Sequence, residues 1–157
     1  MIDALLAELS AGFPDATEAA RLALRLLAAL VVGALIGLQR ELQGKDAGLR
    51  THVLVALGTT LFVLTGISVG MTASSDAMSR LVQGIATGIG FLGAGAILKL
   101  HADRAILGLT TAAGIWMTAA ASVAAGLGRY GMALLAAVLA WLVLAVLSRL
   151  ERRFRDD

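Results

Sequence analysis

Two long apolar runs, residues 26–38 (LLAALVVGALIGL) and 53–71 (VLVALGTTLFVLTGISVGM), are separated by a short segment holding Arg40, Glu41, Lys45, Asp46 and Arg50. A water-soluble helical protein spreads its charges along each helix at the helical period, so that every helix keeps one wet face. Here the charges collect between the runs. That is the pattern of a chain that crosses a bilayer and returns to water between crossings. The composition agrees, with 59% of the 157 residues hydrophobic and 15% charged. An average globular domain has about 45–50% apolar and about 25% charged residues.

A helical crossing takes about 20 mainly apolar residues. Five segments qualify: 22–38, 53–71, 81–98, 105–127 and 132–147. The runs are continuous rather than alternating, which argues against the strands of a membrane barrel. The expected fold class is all-α, a polytopic membrane protein with five transmembrane helices. Residues 1–20 are expected to form an N-terminal amphipathic segment, 21–150 the five-helix domain and 151–157 a basic cytoplasmic tail. Basic residues set the orientation. Arg40, Lys45 and Arg50 follow span one, Lys99 and Arg104 follow span three, and Arg149, Arg152, Arg153 and Arg155 follow span five. These nine of the 13 Lys and Arg residues share one side, while Arg21, Arg25, Arg80 and Arg129 fall on the other. The N-terminus is then expected outside and the C-terminus in the cytoplasm, with Arg25 snorkelling towards the outer interface.

Ile2, Leu5, Leu6, Leu9 and Phe13 recur at helical spacing, as in a short helix lying on the outer interface. Asp3 and Glu8 stand where a signal peptide would be basic. The absence of cysteine excludes disulfides and thiolate metal sites. No basic helix or aromatic platform outside the spans supports nucleic-acid binding. No enzyme motif is readable. The GIGFLGAG stretch lies within a span and lacks the Lys-Ser/Thr of a nucleotide loop.

Glycine is the next signal. Gly84, Gly88, Gly90, Gly93 and Gly95 crowd span three, and Gly33-xxx-Gly37 and Gly66-xxx-Gly70 stand in spans one and two. Such spacing lets helices pack closely. The other reading is a helix broken to present carbonyls to an ion or solute. A shift of 60 residues places Gly33-Ala34 on Gly93-Ala94, Leu38 on Leu98, and Gly48-Leu49-x-Thr51 on Gly108-Leu109-x-Thr111. The inference is a parallel repeat in which spans one and two correspond to spans three and four. In both copies a threonine is placed to cap the next helix, and the open N–H groups there could face an anion.

Among polar residues, Arg40-Glu41 reads as a structural ion pair. Lys45 and Arg50 read as anchors at the lipid surface. Together with Thr51 they form the candidate cytoplasmic docking or ligand loop. Asp76, Arg80, Gln83 and Thr87, with Gly88, Gly90 and Gly93, form a second candidate element. Gln83 and Thr87, one turn apart, are expected to act as interhelical hydrogen-bond glue. Gly108, Thr110 and Thr111 form a third, at the start of span four. His52 is expected at the membrane edge and His101 in a loop. Magnesium takes oxygen ligands and keeps several waters. No acidic residue lies inside spans two to five, so a dehydrated magnesium cage at the bilayer centre is not expected; a hydrated path past the glycine backbone and Thr87 stays open, and Mg2+ is the one cofactor left in view.

The segments GLQRELQGKDAGLRTHVLVALG (37–58), Asp76-x-x-x-Arg80-x-x-Gln83-Gly84, GIGFLGAGAI (88–97) and GLTTAAGIW (108–116) together resemble the MgtC/SapB family, from about residue 22 to 147. The resemblance implies a multi-pass protein of the bacterial inner membrane. It further implies a link to magnesium homeostasis, to growth at low magnesium and to survival inside host cells. Action through partner membrane proteins is implied too, such as restraint of the F-type ATP synthase; transport of a small ion such as Mg2+ is the alternative. Longer MgtC proteins carry an ACT-like soluble C-terminal domain, so a chain stopping at Asp157 reads as a short, SapB-like member. The small-residue faces lead to the expectation of a homodimer.

Overall fold

A computed structural model describes residues 1–10, 15–73, 75–99 and 106–155. Phe13, His101, Asp103, Arg104 and Ala105 lie outside them. The described residues form six helices: α1 (Ile2–Ser10), α2 (Ala16–Leu42), α3 (Leu49–Ser68), α4 (Asp76–Gly95), α5 (Leu109–Gly126) and α6 (Tyr130–Arg155). A two-residue antiparallel pairing of β1 (Leu98–Lys99) with β2 (Ile106–Leu107) precedes α5.

Two helices start before their apolar segments because a polar cap, not hydropathy, sets their first residue. Asp15 Oδ1 accepts the Glu18 N–H at 2.6 Å, so α2 begins inside the segment assigned to the N-terminal leader. Ser75 Oγ accepts the Met78 N–H at 3.1 Å, so α4 begins five residues before the expected span. Helix α6 continues to Arg155, and most of the expected tail is its last turns. Four helices are long and apolar enough to cross a membrane: α2, α3, α5 and Tyr130–Leu147 of α6. Helix α4 has 20 residues but opens with Asp76, Ser79, Arg80 and Gln83, which lowers its apolar content. It is continuous from Asp76 to Gly95, so the glycine-broken span is overturned.

Helix α5 is the hub, in contact with α2, α3, α4 and α6. Of its most apolar window 56% is buried, against 17% for α6. Its sequence, LTTAAGIWMTAAASVAAG, is built of small residues because a helix packed on several sides has little room. The main core is likewise alanine-rich: Ala29, Ala56, Ala121, Ala125, Ala133 and Ala137 pack with Val32 and Ile36. Contacts between α3 and α5 advance together along both helices. His52 pairs with Thr118, Thr60 with Ser122, and Gly126 sits against Val63. The two helices are therefore parallel. Helices α3 and α5 each pack against both α2 and α4.

The glycine motifs divide. On α2, a Cβ at Gly33 would lie 2.8 Å from the His52 carbonyl oxygen and from Val53 Cα, and one at Gly37 would lie 2.8 Å from Leu49 Cα. These two glycines bring α3 backbone against α2. On α4, Gly84, Gly88, Gly90 and Gly95 have nothing within 4 Å of a built Cβ, and only Gly93 meets a neighbour, Ala112 at 3.6 Å. A stability difference follows. Gly33→Ala should lower the stability of the detergent-solubilised protein by about 1–3 kcal/mol, the usual range for overpacking. Gly58→Ala, with open space at its Cβ, should raise it by up to about 1 kcal/mol through helix propensity. Thermal melts followed by circular dichroism measure both.

Candidate functional site

Arg40 and Glu41, adjacent near the end of α2, part company. Arg40 turns inward, is 2% exposed, and donates from Nη2 to Thr111 Oγ1 of α5 at 2.9 Å. Glu41 stays exposed, and its Oε2 accepts the Leu49 N–H at 2.9 Å. The expected Arg40-Glu41 ion pair gives way to this division because each side chain meets a nearer unmet need. An N-terminal N–H of α3 lacks an intrahelical acceptor, and Thr111 offers a buried one. The expected threonine caps are also corrected. Gly48 and Gly108 are the cap residues, neither with a side-chain cap bond, and Thr51 and Thr111 are the third residues of their helices. The two glycines differ in backbone: Gly48 is extended, whereas Gly108 has φ 88°, where a side chain would be strained. A Cβ there would also collide with the Ala96 carbonyl.

His52, expected at the membrane edge, is fully buried. Its Nδ1 lies 2.7 Å from Thr118 Oγ1. The Thr118 hydroxyl donates its one proton to the Gly114 carbonyl at 3.0 Å. With that proton on the carbonyl, the Thr118 oxygen accepts from His52 in the tautomer that carries its hydrogen on Nδ1. The ring rests on Gly114, whose built Cβ would come within 3.4 Å of Cε1. Two turns further along α3, Thr60 donates to the Ser122 carbonyl at 3.0 Å. A polar column thus links α2, α3 and α5 through Arg40, Thr111, His52, Thr118 and Thr60. At its core Arg40 Nε and His52 Nε2 are buried without a hydrogen-bond partner. At the other end of α2, Arg25 Nη1 donates to the Gly126 carbonyl at 3.0 Å. This arginine caps the C-terminus of α5, where a cation is favoured, instead of only snorkelling.

Thr51 and Thr111, each the third residue of its helix, come together. With Asp46, Gly95 and Ala96 they line a cavity of about 390 Å³ at the Arg40 end of the bundle. Lys45, Arg50 and Thr110 are exposed. In the second element Asp76, Arg80, Gln83, Thr87, Gly88 and Gly90 are all exposed, and Gly93 is buried. Thr87 donates to the Gln83 carbonyl of its own helix at 2.9 Å. Among the described residues no three His, Asp or Glu side chains gather as a metal site. Ala47, Val55, Leu92 and Ile115 complete the lining of this cavity, and the Thr111 hydroxyl there is already engaged by Arg40. Thr118 escaped the sequence reading, and so did its pairing with His52. The available signal was a polar residue in an apolar stretch on each of two helices, without the geometry that pairs them.

The family model described as MgtC family matches residues 26–153. The chain is 44% identical to protein SrpB of Synechococcus elongatus over 83% of this chain and 77% of that protein. It is 40% identical to YhiD of Escherichia coli over 83% of this chain and 62% of that protein. To protein MgtC of Salmonella typhimurium it is 44% identical over 74% of this chain and 48% of that protein, so it spans about half the length of that relative. No solved structure matches it.

The buried tie between α2 and α5 can be measured. In a double-mutant cycle of Arg40→Met and Thr111→Val, the coupling should be about 1.5–3 kcal/mol, the usual range for a hydrogen bond to a charged group. Thr118→Val should cost about 1–3 kcal/mol, because it leaves the His52 Nδ1–H unpaired. Reversible unfolding in mixed micelles reports both.

Proposed function

The chain belongs to the MgtC family, and from that premise we propose that it serves magnesium homeostasis in the bacterial inner membrane by acting on partner membrane proteins. The observation that carries the reading is the polar column. Arg40, His52, Thr111 and Thr118 bond within the bundle, and α5 fills its centre. This makes the Arg40 end a fixed platform, with Lys45, Asp46 and Arg50 exposed around it. An F-type ATP synthase is the partner class that the family resemblance suggests. YhiD is described by its name as a candidate magnesium transporter, and transport is the alternative reading.

Five spans with the N-terminus outside and the C-terminus inside complete the proposal. Helices α3 and α5 are parallel, so the chain between them must return across the bilayer, and α4 packs against both. This packing supports reading α4 as a fifth span and α2–α3 and α4–α5 as a parallel repeat. A homodimer and a hydrated Mg2+ at the 390 Å³ cavity belong to the same reading.

Proteoliposomes loaded with a magnesium-sensitive dye should show no flux above empty vesicles. Flux that Arg40→Met abolishes would favour the transporter. Because the chain has no cysteine, Lys45→Cys and Gly131→Cys each give a unique thiol. In intact spheroplasts an impermeant maleimide should label Gly131→Cys and spare Lys45→Cys. The opposite labelling would reverse the topology.

A further inference from the structure

Between α3 and α4 runs a groove of about 520 Å³, lined by Phe62 and Thr59 on one side and by Arg80, Gly84, Gly88 and Leu92 on the other. Four features separate it from an ordinary gap between helices. Gly84 and Gly88 have nothing within 4 Å of a built Cβ, so the trench is open along its length. Phe62 is 62% exposed beside it, leaving an apolar wall. Arg80, exposed and one turn into α4, stands at one end. From Arg80 to Leu92 the trench follows 12 helical steps, about 18 Å at about 1.5 Å each. That is close to half of the roughly 30 Å hydrocarbon thickness.

A single cation at the head of an apolar trench one leaflet deep fits one kind of occupant. We propose that the α3–α4 groove is a binding site for an anionic phospholipid, its phosphate on Arg80 and one acyl chain laid over Gly84 and Gly88. A transmembrane helix from another chain would have to run on through the other leaflet, beyond the end of the trench. Asp76, the only acid of α4, lies one turn closer to the helix start, so the phosphate is drawn to the Arg80 side of it. The proposal rests on α4 crossing the bilayer.

The test uses the full chain in nanodiscs of phosphatidylcholine doped with phosphatidylglycerol, followed by native mass spectrometry of the lipids retained. Wild-type protein should keep phosphatidylglycerol in preference to phosphatidylcholine. Arg80→Gln should lower that retention roughly fivefold, the factor that about one interfacial cation contributes. Gly88→Leu should lower it as well, by filling the trench, and unchanged melting would show that the variant is folded. Arg129→Gln, the same charge change away from the groove, should leave retention unaltered. Equal loss in Arg129→Gln, or full retention in Arg80→Gln, would overturn the proposal. So would loss of an oligomer in Gly88→Leu with lipid retention untouched, since the trench would then hold a helix. The span itself is tested apart from the lipid. Gly90→Cys should resist impermeant maleimide from both sides of the membrane, whatever the lipid result.

Discussion

A guanidinium inside a membrane bundle has to find its partners within the protein, because hydrocarbon offers none. Arg40 is the case on which the rest of this structure depends. Its hydrogen bond to Thr111 joins the end of α2 to the start of α5. The glycines at 33 and 37 bring the α3 backbone against α2, and His52 arrives in the same layer with them. His52 then bonds to Thr118, and Thr118 to the Gly114 carbonyl. Removing one partner would leave a buried donor or acceptor unmet, which costs more than the bond itself contributes. The column therefore acts as one unit, in which neighbours are not independent.

Much of the helical framework was legible from apolar runs. Each of the five expected spans overlaps a helix, four of them long and apolar enough to cross a membrane, while the charged segment is divided: Arg40 and Glu41 belong to α2, Arg50 to α3, and Lys45 and Asp46 to the connection. The helix limits were not legible from hydropathy, since Asp15 and Ser75 start their helices well outside the apolar windows. Arg40 shows why the site was harder. Adjacent charges of opposite sign suggest an ion pair, but on a helix consecutive side chains point in different directions. Arg40 faces the bundle and Glu41 the connection to α3. Gly33-xxx-Gly37 and Gly84-xxx-Gly88 are the same motif in sequence, yet one is filled by a neighbour and the other is open. Spacing alone does not say which face has a partner.

Small residues decide how the centre is organised. Alanine, glycine, serine and threonine on α5 let it contact the four long helices around it. The bulk lies outward instead: Leu134, Leu135, Val143 and Val146 of α6 are all at least half exposed, as suits a lipid-facing wall. This reverses the arrangement of a water-soluble protein, where large apolar side chains fill the core. It leaves hydrogen bonds and close backbone contact to hold the helices together.

The polar column also has a consequence for biogenesis. The residues it joins are far apart in the chain, with separations of 71 for Arg40–Thr111, 66 for His52–Thr118 and 62 for Thr60–Ser122. A ribosome delivers α2 and α3 first, and their glycine-mediated contact can form at once. Their buried polar groups must then wait for α5 to be made and threaded. During that interval the hairpin is a pair of helices with a cation and an imidazole still seeking acceptors. The last central helix thus completes the hydrogen bonding of the first two, and the finished bundle is sealed from within by its late arrival.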